Sequence, residues 1–161
     1  MKALLVPILS MIFLQSTTYK LQTENFEVVL PAKPDYRTQS VNTGVATLNL
    51  HLYILEQGPT YYIISHSYYP PSIDLSDPEK FFRGVISGMI SNYQGTLLHE
   101  QTLNKDKGLG KKVRIELPDG DLVEVDYYLM DRTLYQILVK ASPQEIQFPE
   151  VQNCLSSFKL Y

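Results

Sequence analysis

Apolar and polar residues alternate along several stretches of the chain, and this alternation predicts β-strands. The clearest stretch is residues 44–55 (GVATLNLHLYIL), where every second residue from Ala46 to Ile54 is apolar. A period of two is typical of a strand that buries one face. The chain then turns at Gly58-Pro59 and returns through a segment rich in β-branched and aromatic residues, which favours a strand over a helix. The further predicted strands are residues 26–30, 60–68, 96–103, 111–117, 122–130 and 133–140.

Residues 76–93 have a different period and predict a helix. Asp77 precedes Pro78, the usual order of an N-cap and the helix position where proline costs least. Gly84 and Gly88 lie at the edge of the apolar stripe that follows, where we expect close packing. The stripe of this first helix consists of Phe81, Phe82, Val85, Ile86, Met89, Ile90 and Tyr93. A second, short helix is predicted from Pro149.

The turn at residues 118–120 (Pro-Asp-Gly) sets the register of the strands on either side. A type I turn with glycine in the left-handed position places Leu117 opposite Asp121. The core-side pairs are then Val113–Val125 and Ile115–Val123, and the outer-side pairs are Arg114–Glu124 and Lys112–Asp126. The outer pairs carry opposite charges, which supports this register. Together these elements predict an α+β fold with a central antiparallel β-sheet of about six strands and helices packed on its faces.

The N-terminus has the three-part layout of a secretory signal. Lys2 precedes an apolar run over residues 3–14, and small polar residues follow, with Ser16 or Thr18 as the last residue before cleavage. The run is shorter than the ~20 residues needed to span a bilayer. We therefore predict a signal peptide at residues 1–18 and a single domain at residues 19–161. The protein is expected to be periplasmic or secreted and to meet the membrane only during export.

Length and composition limit the class of protein. The chain has 161 residues, of which 44% are apolar and 19% charged, with a net charge of −3. Because a general nucleic-acid binder needs a basic face, we predict no nucleic-acid partner. Cys154 is the single cysteine, so an intramolecular disulfide is impossible. Its apolar neighbours predict a buried, inert thiol.

His51 and His66 lie on the polar face of the hairpin predicted over residues 44–68. If the turn places residue 51 opposite residue 64, His66 lies diagonally beside His51. A register two residues longer places the two histidines directly opposite each other. Two imidazoles with Asn49 or Tyr53 nearby could hold a metal ion. The alternative is a pair of sheet histidines that are solvated or hydrogen-bonded.

Tyrosine is abundant, at 12 of 161 residues, and several tyrosines occur as adjacent pairs. Neighbours in a strand face opposite sides, so one of each pair is exposed unless both faces of the sheet are covered. Exposed aromatic residues suit a protein interface. A basic cluster around Gly108 and Gly110 lacks the spacing of a phosphate-binding loop. The candidate partner-binding residues are His51, Tyr53, Tyr62, His66, Lys111 and Lys112.

Several short motifs in residues 24–161 resemble the PsbP-like superfamily. They are Phe-x-Val-x-Leu-Pro-x-x-Pro at 26–34, Gly-x-Gly-Lys at 108–111, Leu-Tyr-Gln at 134–136 and Ser-Phe-x-Leu at 157–160. The chain departs from the family at Leu109, where proline is expected, and at Lys112, where an acid is usual. The superfamily includes an extrinsic photosystem II subunit, a Ran-binding nuclear import factor and many small exported bacterial proteins. The resemblance implies an antiparallel sheet between helices (an α/β/α sandwich) and the binding of other proteins rather than a shared active site.

The chemistry of the sequence favours binding over catalysis. It contains neither Gly-x-Ser-x-Gly nor His-Glu-x-x-His, and no cysteine and histidine in a suitable catalytic context. We therefore expect an exported, non-catalytic protein-binding module without a cofactor, whose partner is another protein. The alternatives are a periplasmic metal or ligand carrier that uses the sheet histidines, and an immunity protein that inhibits a toxin.

Overall fold

A seven-stranded antiparallel sheet organises the fold. The computed structural model describes residues 18–105 and 108–161. The main sheet has the strand order β3-β4-β5-β9-β8-β7-β6. Its strands are β3 (Asp35–Asn42), β4 (Thr47–Gln57), β5 (Thr60–Tyr68), β6 (Thr96–Lys105), β7 (Gly108–Glu116), β8 (Leu122–Met130) and β9 (Thr133–Ala141).

The two ends of the described chain form a second, smaller sheet. Its strands are β1 (Tyr19–Gln22), β2 (Phe26–Leu30) and β10 (Lys159–Leu160), in the order β1-β2-β10. The helices of the described residues are α1 (Pro78–Tyr93) and α2 (Pro149–Ser157), with a short 3-10 helix at Glu145–Gln147. The predicted α+β class is confirmed. The predicted number of about six strands is too low for the main sheet, which has seven, because polar β3 shows no alternation. The second sheet is not predicted by the sequence, although its middle strand, β2, is.

Each face of the main sheet has its own cover. On one face, named here the helix face, Phe82 and Ile86 of α1 pack against the apolar residues of β7, β8 and β9. On the other, the small-sheet face, β2 and α2 pack against β5, β8 and β9. Tyr127 and Tyr128 are therefore buried on opposite faces, at 0% and 2% exposure. Of the two possibilities for adjacent tyrosines, coverage of both faces holds here.

Helix α1 begins where the sequence predicts. The Asp77 carboxylate accepts a hydrogen bond of 2.9 Å from the backbone N–H of Lys80, and Pro78 occupies the first turn. Gly84 and Gly88 are exposed, and a Cβ built at either would meet no atom within 4 Å. The prediction that they allow close packing is therefore wrong. The apolar stripe docks this helix without a contribution from the two glycines.

The hairpin of β7 and β8 has the predicted register. The backbone N–H of Leu117 donates a hydrogen bond of 2.8 Å to the carbonyl oxygen of Asp121. The predicted core-side and charged pairs lie opposite one another. Arg114 Nε donates 2.6 Å to Glu124 Oε1. The acids, however, are not on an outer side: Glu124 and Asp126 are 5% and 4% exposed. Alternation identified their face correctly but did not show that this face is also covered.

The predicted signal peptide at residues 1–18 lies outside the described residues, except for Thr18. Within the part of the chain that the structure describes, no helix is both long and apolar enough to span a bilayer.

We expect Gly110 to be required for packing between β7 and β8. A Cβ at this position would lie 2.7 Å from Tyr127 O and 2.9 Å from Tyr128 Cδ1. Gly110→Ala should therefore lower the free energy of unfolding by about 1–3 kcal/mol, as overpacking does. Gly84→Ala, the matched control in open space, should raise it by about 0.5–1 kcal/mol because it removes a helix glycine. Urea denaturation measures both, and equal effects of the two substitutions would contradict the packing argument.

Candidate functional site

A polar cleft of about 460 Å³ opens on the small-sheet face beside the start of β2. It lies over the ends of β4, β5 and β9, next to the turn that joins β8 to β9. Among its lining residues is no lysine or arginine and one carboxylate. We name it the histidine cleft, and its lining residues are Asn25, Thr47, Asn49, His51, His66, Tyr68, Pro70, Met130, Asp131, Thr133 and Tyr135.

His51 and His66 form the floor of the histidine cleft as a directly opposed pair. The hairpin pairs Gln57 with Thr60, so only Gly58-Pro59 lie in the turn and residue 51 meets residue 66. Of the two registers that the sequence left open, the directly opposed one is confirmed. The two rings are 4.6 Å apart between centroids and within 4° of parallel.

The surroundings of the pair differ between its members. The Tyr36 hydroxyl and His51 Nδ1 share a hydrogen bond of 2.7 Å at the open side of the sheet. His66 lies deeper, with the Phe26 ring edge-on at 5.7 Å and the Tyr135 ring at 6.0 Å. Burial lowers the pKa of His66 to about 4, and the neighbouring His51 contributes to this decrease. His66 is therefore uncharged at neutral pH.

The geometry of the pair does not suit a metal centre. The lone pairs of an imidazole lie in the ring plane, so those of two parallel rings run side by side instead of converging. A shared ion would have to lie about 2.0–2.1 Å from both nitrogens. Within the described residues, no group of three His, Cys, Asp or Glu side chains could hold a metal ion. The arrangement favours hydrogen bonding over metal ligation.

The turn between β8 and β9 closes one end of the cleft with two non-glycine residues in left-handed backbone. Asp131 has φ 46° and Arg132 has φ 65°, a region that such residues seldom adopt. The Arg132 guanidinium donates hydrogen bonds to three backbone carbonyl oxygens. Those to Tyr69 and Pro70 are 2.8 Å and 2.7 Å long, and the third is to Ile73. Arg132 thus fixes the segment that supplies Pro70 to the cleft wall.

Comparison with known proteins supports the fold. No protein-family model matches the sequence, and no curated protein matches it either. The structure is similar to the solution structure of cyanobacterial PsbP (CyanoP) from Synechocystis sp. PCC 6803, with a TM-score of 0.61 and 12% sequence identity. The match covers 91% of this chain and 94% of that chain. The chain has a PsbP-like fold.

Within this PsbP-like fold, the Gly-x-Gly-Lys motif has a packing role. A Cβ at Gly108 would lie 2.6 Å from Leu129 O, and Gly110 has no more room against β8. The lysines that follow point to opposite faces. Lys111, 6% exposed, pairs with Glu79 at 2.8 Å and Glu100 at 3.4 Å on the helix face.

Lys112 pairs with Asp126 at 3.3 Å on the small-sheet face, and Arg114 pairs with Glu124 there. The side chains of Lys105 and Lys107 lie outside the described part of the chain. The described members of the predicted basic cluster are thus divided between two faces and paired with acids. They form no common patch.

The other candidate partner-binding residues are partly brought together. His51, Tyr53 and His66 are half-buried neighbours on the small-sheet face. Tyr62 points to the same face but is 1% exposed and packs in the core. Sequence reasoning missed Asp131 and Arg132 as site residues, although they lie between the strands predicted over residues 122–130 and 133–140. The signal that could have identified them is a two-residue hairpin turn that contains no glycine. Such a turn is unusual, because both of its residues require φ > 0.

We expect His66 to make the fold acid-sensitive. The unfolded chain protonates this histidine near pH 6.5, whereas the folded chain does so only near pH 4. The unfolded state binds more protons between these values, so the free energy of unfolding should fall as pH drops from about 6.5 to about 4. His66→Phe keeps an aromatic ring at this position and removes the titrating imidazole. The variant should therefore lose less free energy of unfolding than the wild type between pH 6.5 and pH 4.

Exposed His99 on β6 provides the matched control, because His99→Gln also removes one histidine and leaves His66 and its surroundings unchanged. Urea midpoints measured from pH 4 to pH 8 give the comparison. An unchanged slope in His66→Phe would show that His66 does not contribute.

Proposed function

We propose that the chain is an exported, non-catalytic protein-binding module that recognises its partner at the histidine cleft. The observation that carries this proposal is the cleft itself, a polar concavity at the end of the apolar packing between β2, α2 and the main sheet. Its volume lies within the usual range of ligand sites, about 300–1,000 Å³. The PsbP-like fold is consistent with a binding role without specifying one.

The side chains of the cleft support binding rather than turnover. Among the described lining residues there is neither serine nor cysteine, so the cleft lacks the serine–histidine and cysteine–histidine pairs that many hydrolases use. Cys154 is fully buried in α2, and burial raises the pKa of its thiol to about 12, with a further contribution from Asp126. Such a thiol is protonated and inaccessible at neutral pH.

Exposed tyrosines next to the cleft give it the character of a protein interface. Tyr36 and Tyr68 are each 54% exposed. Tyr36 also packs on Tyr53, with ring centroids 5.0 Å apart, and bonds His51. Tyrosine supplies large contact area at low entropic cost and is enriched where proteins meet. A partner seated in the cleft would therefore meet aromatic rings on both of its sides.

Filling the cleft should abolish partner binding. Thr47 is an exposed residue of the cleft wall, so Thr47→Trp should block the cavity without disturbing the core. Ser87→Trp on the exposed side of α1 adds the same bulk elsewhere. Each variant is used as bait against envelope extract of the source organism, after thermal unfolding confirms that both remain folded.

The supporting result is a protein that the wild type and Ser87→Trp retain and that Thr47→Trp releases by at least about tenfold. Equal retention by all three baits would place the interface elsewhere, and no saturable retention by the wild type would refute the binding role. If the retained protein is a toxin whose activity the chain suppresses, the protein is an immunity protein.

Export is tested separately from binding. Lys2 followed by the apolar run at residues 3–14 supports a cleaved signal peptide. We expect mass spectrometry of the chain from periplasmic or secreted fractions to find an N-terminus directly after Ser16 or Thr18. An uncleaved chain that co-fractionates with cytoplasmic markers would overturn the export.

A further inference from the structure

The histidine cleft has the electrostatic character of a cation site. Among the described residues that line it, Asp131 is the single carboxylate, and none is a lysine or an arginine. The nearest cationic side chain in sequence, Arg132, is engaged with three backbone carbonyls of the adjoining segment. Because His66 is uncharged at neutral pH, it does not offset the Asp131 charge with a buried cation.

The charge of Asp131 is not needed by the turn that holds it. Asparagine tolerates left-handed backbone as well as aspartate does and would serve the turn equally. Among the described side chains, which exclude those of residues 104–107, Asp131 forms no ion pair, and its own side chain is exposed. Burial raises the pKa of Tyr135, which lines the cleft together with Asp131. A negative charge without a structural task at a cavity rim is available to a ligand.

The remaining groups of the cleft suit a planar cation with many donors. Tyr68, half-exposed, presents an aromatic ring at the wall, and a guanidinium binds both aromatic faces and carboxylates. The side-chain oxygens of Asn25, Asn49 and Thr133 are further hydrogen-bond acceptors around the same space. A guanidinium has five N–H donors and no acceptor, so such a lining satisfies it more completely than it satisfies a compact ammonium.

We propose that the histidine cleft binds an arginine side chain of the partner protein, with the guanidinium paired to Asp131 and stacked on Tyr68. This proposal rests on the protein-binding function proposed above and specifies the partner's chemistry. The cavity has room beyond one side chain, so the peptide segment on either side of the arginine enters as well. An anionic ligand is disfavoured because the described lining contains a carboxylate and neither lysine nor arginine.

The test uses the tripeptide acetyl-Gly-Arg-Gly-amide as the probe, titrated into the full chain at neutral pH and low salt. The same peptide with citrulline replaces the guanidinium by a neutral urea of equal shape, and a lysine peptide keeps the charge without the planar fork. Backbone amide NMR shifts report the site and the dissociation constant. We expect the arginine peptide to shift Asn25, His51, His66 and Asp131 and to bind at least about tenfold more tightly than the citrulline peptide.

Two substitutions separate the site from general charge attraction. Asp131→Asn should weaken arginine-peptide binding about tenfold. Asp119→Asn makes the same charge change in the β7–β8 turn, where Asp119 faces Lys140 at 3.6 Å, and should leave the affinity unchanged. Equal binding of the arginine and citrulline peptides, or an Asp131→Asn affinity equal to the wild type, would overturn the proposal. A lysine peptide that binds as tightly would overturn the guanidinium assignment.

The two proposals can fail independently. If Thr47→Trp releases a partner but the arginine peptide does not bind, the protein-binding function stands and the arginine inference falls. If the arginine peptide binds at the cleft while the wild-type bait retains no protein, the guanidinium site stands as a small-molecule site and the protein-binding function falls.

Discussion

Burial of the central strands on both faces is the constraint on which the rest of the structure depends. Val123, Val125, Ile137 and Val139 are 0% exposed, so β8 and β9 require an apolar cover on each side. Helix α1 supplies one cover from a single segment. The other is assembled from both ends of the described chain, because β10 pairs with β2 and α2 packs beside it. Burial of apolar area, at about 25 cal/mol per Å², therefore links the termini to the middle of the sheet.

The second cover is smaller than the face it covers, and this difference produces the cleft. Strand β2 has five residues and β4 has eleven, which at ~3.3 Å per residue is about 17 Å against about 36 Å. Phe26 is the last covering side chain at the cleft end, and its ring contacts both His66 and Tyr135. Beyond it the lining turns polar, with Asn49, Thr133 and Asn25. The cleft is thus a consequence of where an apolar cover stops.

Much of the fold could be predicted because its signals are local. Helix α1 carries its own cap at Asp77 and its own stripe, and the β7–β8 hairpin carries complementary charges that fix one register. Strand β3 could not be predicted, since residues 35–42 lie at the edge of the sheet, largely exposed on both sides, and need no alternation. The burial of Glu124 and Asp126 was equally hidden. Period two separates the faces of a strand, but only the rest of the chain determines which faces are covered.

The candidate site was predictable only in part, for a related reason. The shared face of His51 and His66 followed from strand parity, but their direct opposition depended on how many residues the turn at Gly58 contains. Tyr62 and Lys111 have polar atoms that suggest a surface, yet one is packed under α2 and the other is paired with two glutamates. Asp131 and Arg132 had no motif at all.

A polar sheet end could simply be a solvated one, and two features of the histidine cleft argue for more than that. The strand register holds the His51 and His66 rings parallel at 4.6 Å, and His66 is sufficiently desolvated that its pKa falls to about 4. Left-handed backbone at non-glycine residues costs of order 1–3 kcal/mol each and persists where the surroundings compel it. Arg132 recovers that cost through its three carbonyl contacts, whereas Asp131 makes no comparable contact within the described residues. An uncharged His66 ring beside one exposed carboxylate fits the proposed binding of an arginine side chain.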